Sequence, residues 1–91
     1  MPRFMNPEEG RTIIEILKRR CGEWTKVHLK NGQELKVFNI AWGYDLGDDY
    51  AHVTTNVSPS SEEITDVDFF KVDEVIKLEN EETGRIIWSL D

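Results

Sequence analysis

The chain has 91 residues and a net charge of −7, with 38% hydrophobic and 32% charged residues. This length predicts a single domain over residues 1–91, and the nine aromatic residues argue against general disorder. Apolar runs of at most three residues exclude a membrane span, and the N-terminal segment lacks the apolar core of a signal peptide. The single cysteine cannot form an internal disulfide, and since no export signal is evident the sequence favours a cytoplasmic protein.

The first predicted element is a helix over residues 7–21, and residues 1–5 before it are predicted to be disordered. Asn6 stands at the N-cap position, and Glu9 three residues later completes a capping box. Apolar residues then recur at spacings of three and four, and Cys21 is assigned to this stripe as a packed thiol. A helix this short is not stable alone, so it is predicted to cover a sheet.

From residue 24 onward, apolar and polar residues alternate with a period of two, which is typical of β-strands. The pair Asn31-Gly32 between two such runs predicts a type I′ hairpin turn with positive φ at both residues. From Phe38 to Trp42 the return strand is apolar on both faces. This pattern indicates a long bent strand that passes from one sheet into another and is buried on both sides.

The remaining elements are short strands, one helical turn and a closing hairpin. They are assigned to residues 50–57, 64–72, 72–75 with Asp73 as the helix cap, and 75–90 with Gly84 in the turn. The tally predicts a mainly β fold, a small SH3-like or Sm-like antiparallel barrel of five or six strands over residues 24–90, capped by the N-terminal α-helix. A split α+β sheet is the alternative architecture.

None of the residues able to carry chemistry forms a catalytic or metal-binding pattern. His28 and His52 lack the close spacing of zinc ligands, which disfavours a metal site with Asp45, Asp48 or Asp49. The paired carboxylates fall in predicted loops, whereas acid–base catalysis needs carboxyl groups held in a cleft. The sequence therefore predicts a protein that is not an enzyme and has no catalytic, cofactor-binding or metal-binding residues.

Charge is distributed unevenly along the chain. Residues 1–36 carry eight Lys/Arg against five Asp/Glu, whereas residues 37–91 carry three against thirteen. Such acidity repels phosphate, which makes nucleic acid a less favoured partner and disfavours stacking of bases on the aromatic residues. An acidic face that docks on a basic protein surface fits this balance, and acidity that serves only solubility is the alternative.

The order of elements resembles the Sm-like fold, and two stretches are similar to the Rof family of bacterial proteins that bind and inhibit the transcription terminator Rho. These stretches are VHLKNGQEL, residues 27–35, and FKVDEVIKLENEETGRII, residues 70–87. The resemblance implies a bacterial, cytoplasmic, non-catalytic regulator of transcription termination, with an acidic surface that competes with nucleic acid for a basic site on a Rho-like partner. The acids assigned to this surface are Glu62, Glu63, Asp66, Asp68, Glu79, Glu81 and Glu82.

The chain departs from RNA-binding Sm proteins at two places. Lys71-Val72 stands where such proteins have a basic residue followed by glycine, and Val37 stands where they have a further glycine. An RNA-binding Sm-like module that uses Lys30, Lys36 and Lys71 is therefore the second hypothesis. An accessory homodimer that pairs through an open strand edge is the third, so the oligomeric state is left open.

Overall fold

The computed structural model describes residues 5–56 and 67–90, and within them one helix, α1 (Pro7–Arg19), precedes seven short strands. The strands are β1 (Thr25–Leu29), β2 (Glu34–Val37), β3 (Ile40–Gly43), β4 (His52–Thr55), β5 (Phe69–Lys71), β6 (Val75–Asn80) and β7 (Ile86–Ser89). They form two antiparallel sheets with strand orders β2-β1-β6-β7 and β3-β4-β5. The mainly β fold with an N-terminal helix is thus confirmed, whereas closure of the two sheets into a barrel stays a prediction.

Helix α1 begins as the sequence predicts and ends earlier. The Asn6 side chain accepts the Glu9 N–H at 2.9 Å, and the Glu9 carboxylate accepts the Asn6 N–H at 3.0 Å, which completes the capping box. The helix ends at Arg19, so Cys21 lies beyond it and is exposed. The prediction of a packed thiol is therefore wrong. The stripe that is buried consists of Ile13, Ile14 and Leu17.

The β1–β2 hairpin is found where the sequence predicts it, but with a different turn. Gly32 has a φ of 91°, whereas Asn31 is not among the residues with positive φ. The Gly32 N–H donates to the Leu29 carbonyl at 3.0 Å, and the Leu29 N–H donates to the Gln33 carbonyl at 2.9 Å. This pattern fits a three-residue loop with glycine in the left-handed region, so the type I′ prediction is wrong. The Asn31 side chain serves the turn instead, because its Oδ1 accepts the Gln33 N–H at 2.9 Å.

The predicted bent strand is divided into β2 and β3, which belong to different sheets. The passage from one sheet to the other is therefore confirmed, and it raises the number of strands above the predicted five or six. The prediction that this strand is buried on both faces is wrong, because Ala41 is exposed and Trp42 is 42% exposed. The three-stranded sheet contributes to the core mainly through one face, on which Val53 and Phe70 are buried.

Asn56 holds the bend between β2 and β3. It is 6% exposed and has a φ of 55°, a left-handed conformation that asparagine tolerates better than most residues. Its Oδ1 accepts the Phe38 N–H at 2.8 Å, and its Nδ2 donates to the Lys36 carbonyl at 3.0 Å. The Asn56 N–H donates to the Asn39 carbonyl at 2.7 Å. One residue after β4 thus satisfies the backbone on both sides of the bend.

The remaining predicted elements are also present. A 3-10 helix spans Val72–Glu74, so Asp73 lies inside the turn instead of capping it. Gly84 has a φ of 75° in the β6–β7 turn, as predicted. Of residues 1–5, which were expected to be disordered, only Met5 is among the described residues; it is buried, and its carbonyl accepts the Tyr50 hydroxyl.

The core lies where α1 and the inner faces of the two sheets meet. Its buried apolar residues are Met5, Ile13, Ile14, Leu17, Val27, Leu29, Leu35, Val37, Ala51, Val53, Phe70, Val72, Val75, Leu78 and Leu90. Across the described ranges, 5–56 and 67–90, no helix has both the length and the apolar character that a membrane crossing would need.

Candidate functional site

The acids assigned to a binding surface occupy different environments. Glu62, Glu63 and Asp66 lie outside the described residues. Asp68 is half-buried just before β5, while Glu82 is exposed in the β6–β7 turn. The remaining two, in β6 and directly after it, lie on the outer face of the four-stranded sheet.

That outer face carries a continuous network of ion pairs, which we call the ion-pair face. Glu81 lies 3.7 Å from the Lys26 ammonium and 3.6 Å from that of Lys36. Glu79 lies 3.2 Å from the His28 ring and 3.9 Å from the Lys77 ammonium. Each of these carboxylates is thus within 4 Å of two basic side chains, and both are largely buried.

A third glutamate completes the network. Glu34 lies 3.7 Å from the Lys26 ammonium and 3.8 Å from the His28 ring. The ion-pair face therefore consists of three lysines, three glutamates and one histidine: Lys26, His28, Glu34, Lys36, Lys77, Glu79 and Glu81. With opposite charges so closely matched, this surface exerts little net attraction on a basic partner.

Strand register explains how the ion-pair face is assembled. Along β1, Lys26 and His28 alternate with buried Thr25, Val27 and Leu29, so both point outward. Lys26 is directly opposite Lys36 on one side and Glu79 on the other. Like charges opposite each other are destabilising, and the diagonally placed Glu34 and Glu81 offset that repulsion.

The excess of acidic residues lies in the middle segment of the chain. Residues 38–74, which contain the three-stranded sheet and the 3-10 helix, carry nine Asp/Glu and a single lysine. We call this segment the acidic half. Among the described residues of this segment, six acids stand against Lys71 alone: Asp45, Asp48, Asp49, Asp68, Asp73 and Glu74. Charge is therefore separated between a balanced outer face on one sheet and an excess of acid around the other.

The outer face of the three-stranded sheet combines these acids with exposed apolar surface. The His52 ring stacks on that of Phe69, with 5.8 Å between centroids, and Phe69 is 65% exposed. Asp45 lies 3.7 Å from the His52 ring, and Asp48 lies 3.7 Å from the Lys71 ammonium. The sequence did not predict either of these contacts.

The margin of the same sheet carries a second apolar feature, which we call the aromatic edge: Trp42, Tyr44 and Leu46. The Trp42 and Tyr44 rings meet edge to face with 6.2 Å between centroids, and both are more than 40% exposed. The Lys18 ammonium of α1 lies 5.4 Å from the centroid of the Trp42 ring. The sequence disfavours base stacking on the aromatic residues, and it does not indicate this edge. No local signal was available, because an apolar strand has the same sequence pattern whether or not another element covers it.

No group of three or more His, Cys, Asp or Glu residues in the described ranges is arranged to hold a metal ion. His28 lies on the four-stranded sheet and His52 on the three-stranded sheet, so the two histidines do not share a site. Comparison with protein-family models, with curated proteins and with solved structures finds no match to this chain.

Proposed function

We propose that this protein is a non-catalytic binding module that holds a basic protein partner on its acidic half. The observation that supports the proposal is the separation of charge between the two sheets. Four of the seven predicted acids belong to the acidic half: Glu62, Glu63, Asp66 and Asp68. In this proposal Glu79 and Glu81 stabilise the ion-pair face instead of contacting the partner.

We also propose that the two sheets belong to a small SH3-like or Sm-like barrel. Strand β1 pairs with both β2 and β6, the bent β2–β3 segment joins the two sheets, and a 3-10 helix leads into β6. This connectivity supports an SH3-like or Sm-like barrel. The resemblance to Rho inhibitors adds a basic, nucleic-acid-binding protein of a bacterial cytoplasm as the partner class, and regulation of transcription termination as the process.

The second hypothesis, an RNA-binding module, is less well supported by the lysines it would use. Lys36 lies 3.6 Å from Glu81, and Lys71 lies 3.7 Å from Asp48. Contact with a phosphate would require these lysines to exchange a carboxylate for the phosphate. The loss of these ion pairs would therefore cancel part of the electrostatic free energy gained by binding RNA.

A peptide-binding experiment tests the proposed function. The probes are a fluorescent nona-arginine peptide and a fluorescent oligouridylate of similar length, followed by anisotropy at low and at high NaCl. We expect the protein to bind the peptide, with affinity falling as salt screens the charges. The test variant removes two exposed acids of the β3–β4 loop: D45N/D49N. The control removes the same charge from exposed positions at and after α1: E8Q/E23Q.

The expected result is weaker peptide binding by D45N/D49N than by the control. Equal affinities of the two variants would contradict docking on the acidic half, since only net charge would then matter. Failure of the wild-type protein to bind the peptide at low salt would also contradict it. Preference for the oligouridylate would favour the RNA-binding hypothesis instead.

A further inference from the structure

We propose that the exposed face of Trp42 binds an arginine side chain of the partner, and that Lys18 occupies this face in the free protein. The inference rests on the proposed function and deepens it by naming the chemical group that the acidic half recognises. It begins from the aromatic edge, where two large rings remain more than 40% exposed.

The position of Lys18 shows that a cation fits over the Trp42 ring. Its ammonium lies 5.4 Å from the ring centroid, within the range of about 6 Å in which the ring quadrupole attracts a cation. Tyr44 stands edge to face against the same ring and so limits its rotation. Contacts with Tyr44 and Lys18 thus orient the Trp42 ring, which serves as the platform for a cation.

Arginine fits this platform better than lysine does. A guanidinium is planar and weakly hydrated, so it stacks on an aromatic face while its N–H groups remain available to carboxylates. Asp45 directly follows Tyr44, and its side chain is 78% exposed. An arginine on Trp42 would therefore have an aromatic surface, and its charge would be opposite to the net charge of the acidic half. Tryptophan and tyrosine are also the residues most often found at the energetic centre of protein interfaces.

Lys18 is held loosely enough to leave. Its side chain is 44% exposed, and its other charged contact is Glu15, one helical turn away at 3.3 Å, whose side chain is 55% exposed. Exposed pairs of this kind contribute little stability. An incoming arginine would displace Lys18 from the ring while the Lys18–Glu15 pair remains. Lys18 thus competes with the partner for the same surface.

Two variants and their controls test the site with the nona-arginine probe. Trp42→Leu keeps an apolar side chain and removes the aromatic face, whereas Trp42→Phe restores part of it. We expect Trp42→Leu to weaken binding by about three- to thirtyfold and Trp42→Phe to weaken it less. Circular dichroism and the unfolding midpoint establish that both variants are folded.

Removal of the competitor should have the opposite effect. We expect Lys18→Met to bind the peptide more tightly than Arg19→Met, a variant of the exposed neighbouring residue with the same change in charge. A nona-lysine peptide should bind the wild-type protein more weakly than nona-arginine does. In NMR spectra, the indole N–H resonance that is lost in Trp42→Leu should shift when nona-arginine is added.

The outcomes separate this inference from the proposed function. If D45N/D49N weakens binding and Trp42→Leu does not, the arginine site is overturned while the acidic half still binds basic protein. If Lys18→Met binds no more tightly than Arg19→Met, the competition is overturned. A Trp42 indole shift caused by oligouridylate and not by the peptide would assign the ring to base stacking and overturn the inference.

Discussion

At the scale of single residues, Asn56 is the position in the described structure where both backbone conformation and side-chain hydrogen bonding restrict the choice of residue. It is the described non-glycine residue with positive φ, and its amide group satisfies one backbone donor and one backbone acceptor at the bend. The sequence places this asparagine within a predicted strand and does not reveal the role. Its partners, Phe38 and Lys36, are 18 and 20 residues away in the chain.

Replacement of Asn56 should therefore destabilise the fold. We expect Asn56→Ala to lower the free energy of unfolding by about 2–4 kcal/mol, because two partly buried backbone groups lose their partners and alanine disfavours the left-handed region. Urea denaturation followed by tryptophan fluorescence measures the loss. Asn56→Gly removes the side chain without the conformational cost, so its free energy of unfolding should lie between those of the wild-type protein and Asn56→Ala. A wild-type midpoint for Asn56→Ala would contradict the assigned role.

Gly10 is the second residue whose substitution has a predictable cost. A Cβ at this position would lie 3.1 Å from Val72 Cγ1 and 3.3 Å from Tyr50 Cδ1, so the helix approaches the 3-10 helix closely here. We expect Gly10→Leu to destabilise the protein by about 1–3 kcal/mol through overpacking. Arg11→Leu, at the adjacent exposed position, should change stability by no more than about 0.5 kcal/mol. Thermal denaturation compares the two, and equal costs would exclude the close approach as the cause.

At the scale of elements, the ion-pair face shows what alternation along a strand can and cannot predict. The sequence indicates that Lys26 and His28 face the same side of β1, and the structure confirms it. It does not indicate that β1 pairs with β6. Glu79, which lies 51 residues after His28, therefore appears in the sequence as a free surface acid. Long-range pairing places this predicted binding residue in a network of matched charges.

The network predicts a stability effect that depends on salt. We expect Glu81→Gln to cost about 1 kcal/mol at low ionic strength, because Lys26 and Lys36 both lose a counter-charge, and to cost less in 1 M NaCl. Glu82→Gln changes the exposed neighbouring residue and should be close to neutral at both salt concentrations. A double-mutant cycle between Lys26→Met and Glu81→Gln isolates the pair. A coupling energy of zero would show that the Lys26–Glu81 pair contributes nothing to stability.

The helix and the hairpins mark the extent to which local signals determine structure. The capping box at Asn6 depends on residues three apart, and it is found as predicted. The Asn31-Gly32 signal gives the location of the hairpin but not the turn type, because Asn31 bonds through its side chain. The exposure of Trp42 could not be predicted from the neighbouring sequence, because an apolar strand has the same residue pattern whether or not another element covers it.

At the scale of the whole molecule, the two sheets are expected to differ in how readily they open. Strands β1 and β6 each have a neighbour on both sides, whereas β3 and β5 are the outer strands of a three-stranded sheet. Native-state hydrogen exchange should therefore show the slowest amides in β1 and β6, and faster exchange in β3 and β5. Slowest exchange in β3 would contradict this order and would indicate that further protein covers that edge.

The exposed thiol of Cys21 has a practical consequence for every measurement of association. Cys21 lies outside the helix and is the sole cysteine in the sequence. It therefore gives a single attachment point for a maleimide dye without any engineered substitution. In air-oxidised samples the same group can join two molecules covalently, which light scattering would register as a doubling of mass. A dimer that persists in fresh reductant is therefore held by noncovalent contacts, and one that disappears is a product of storage.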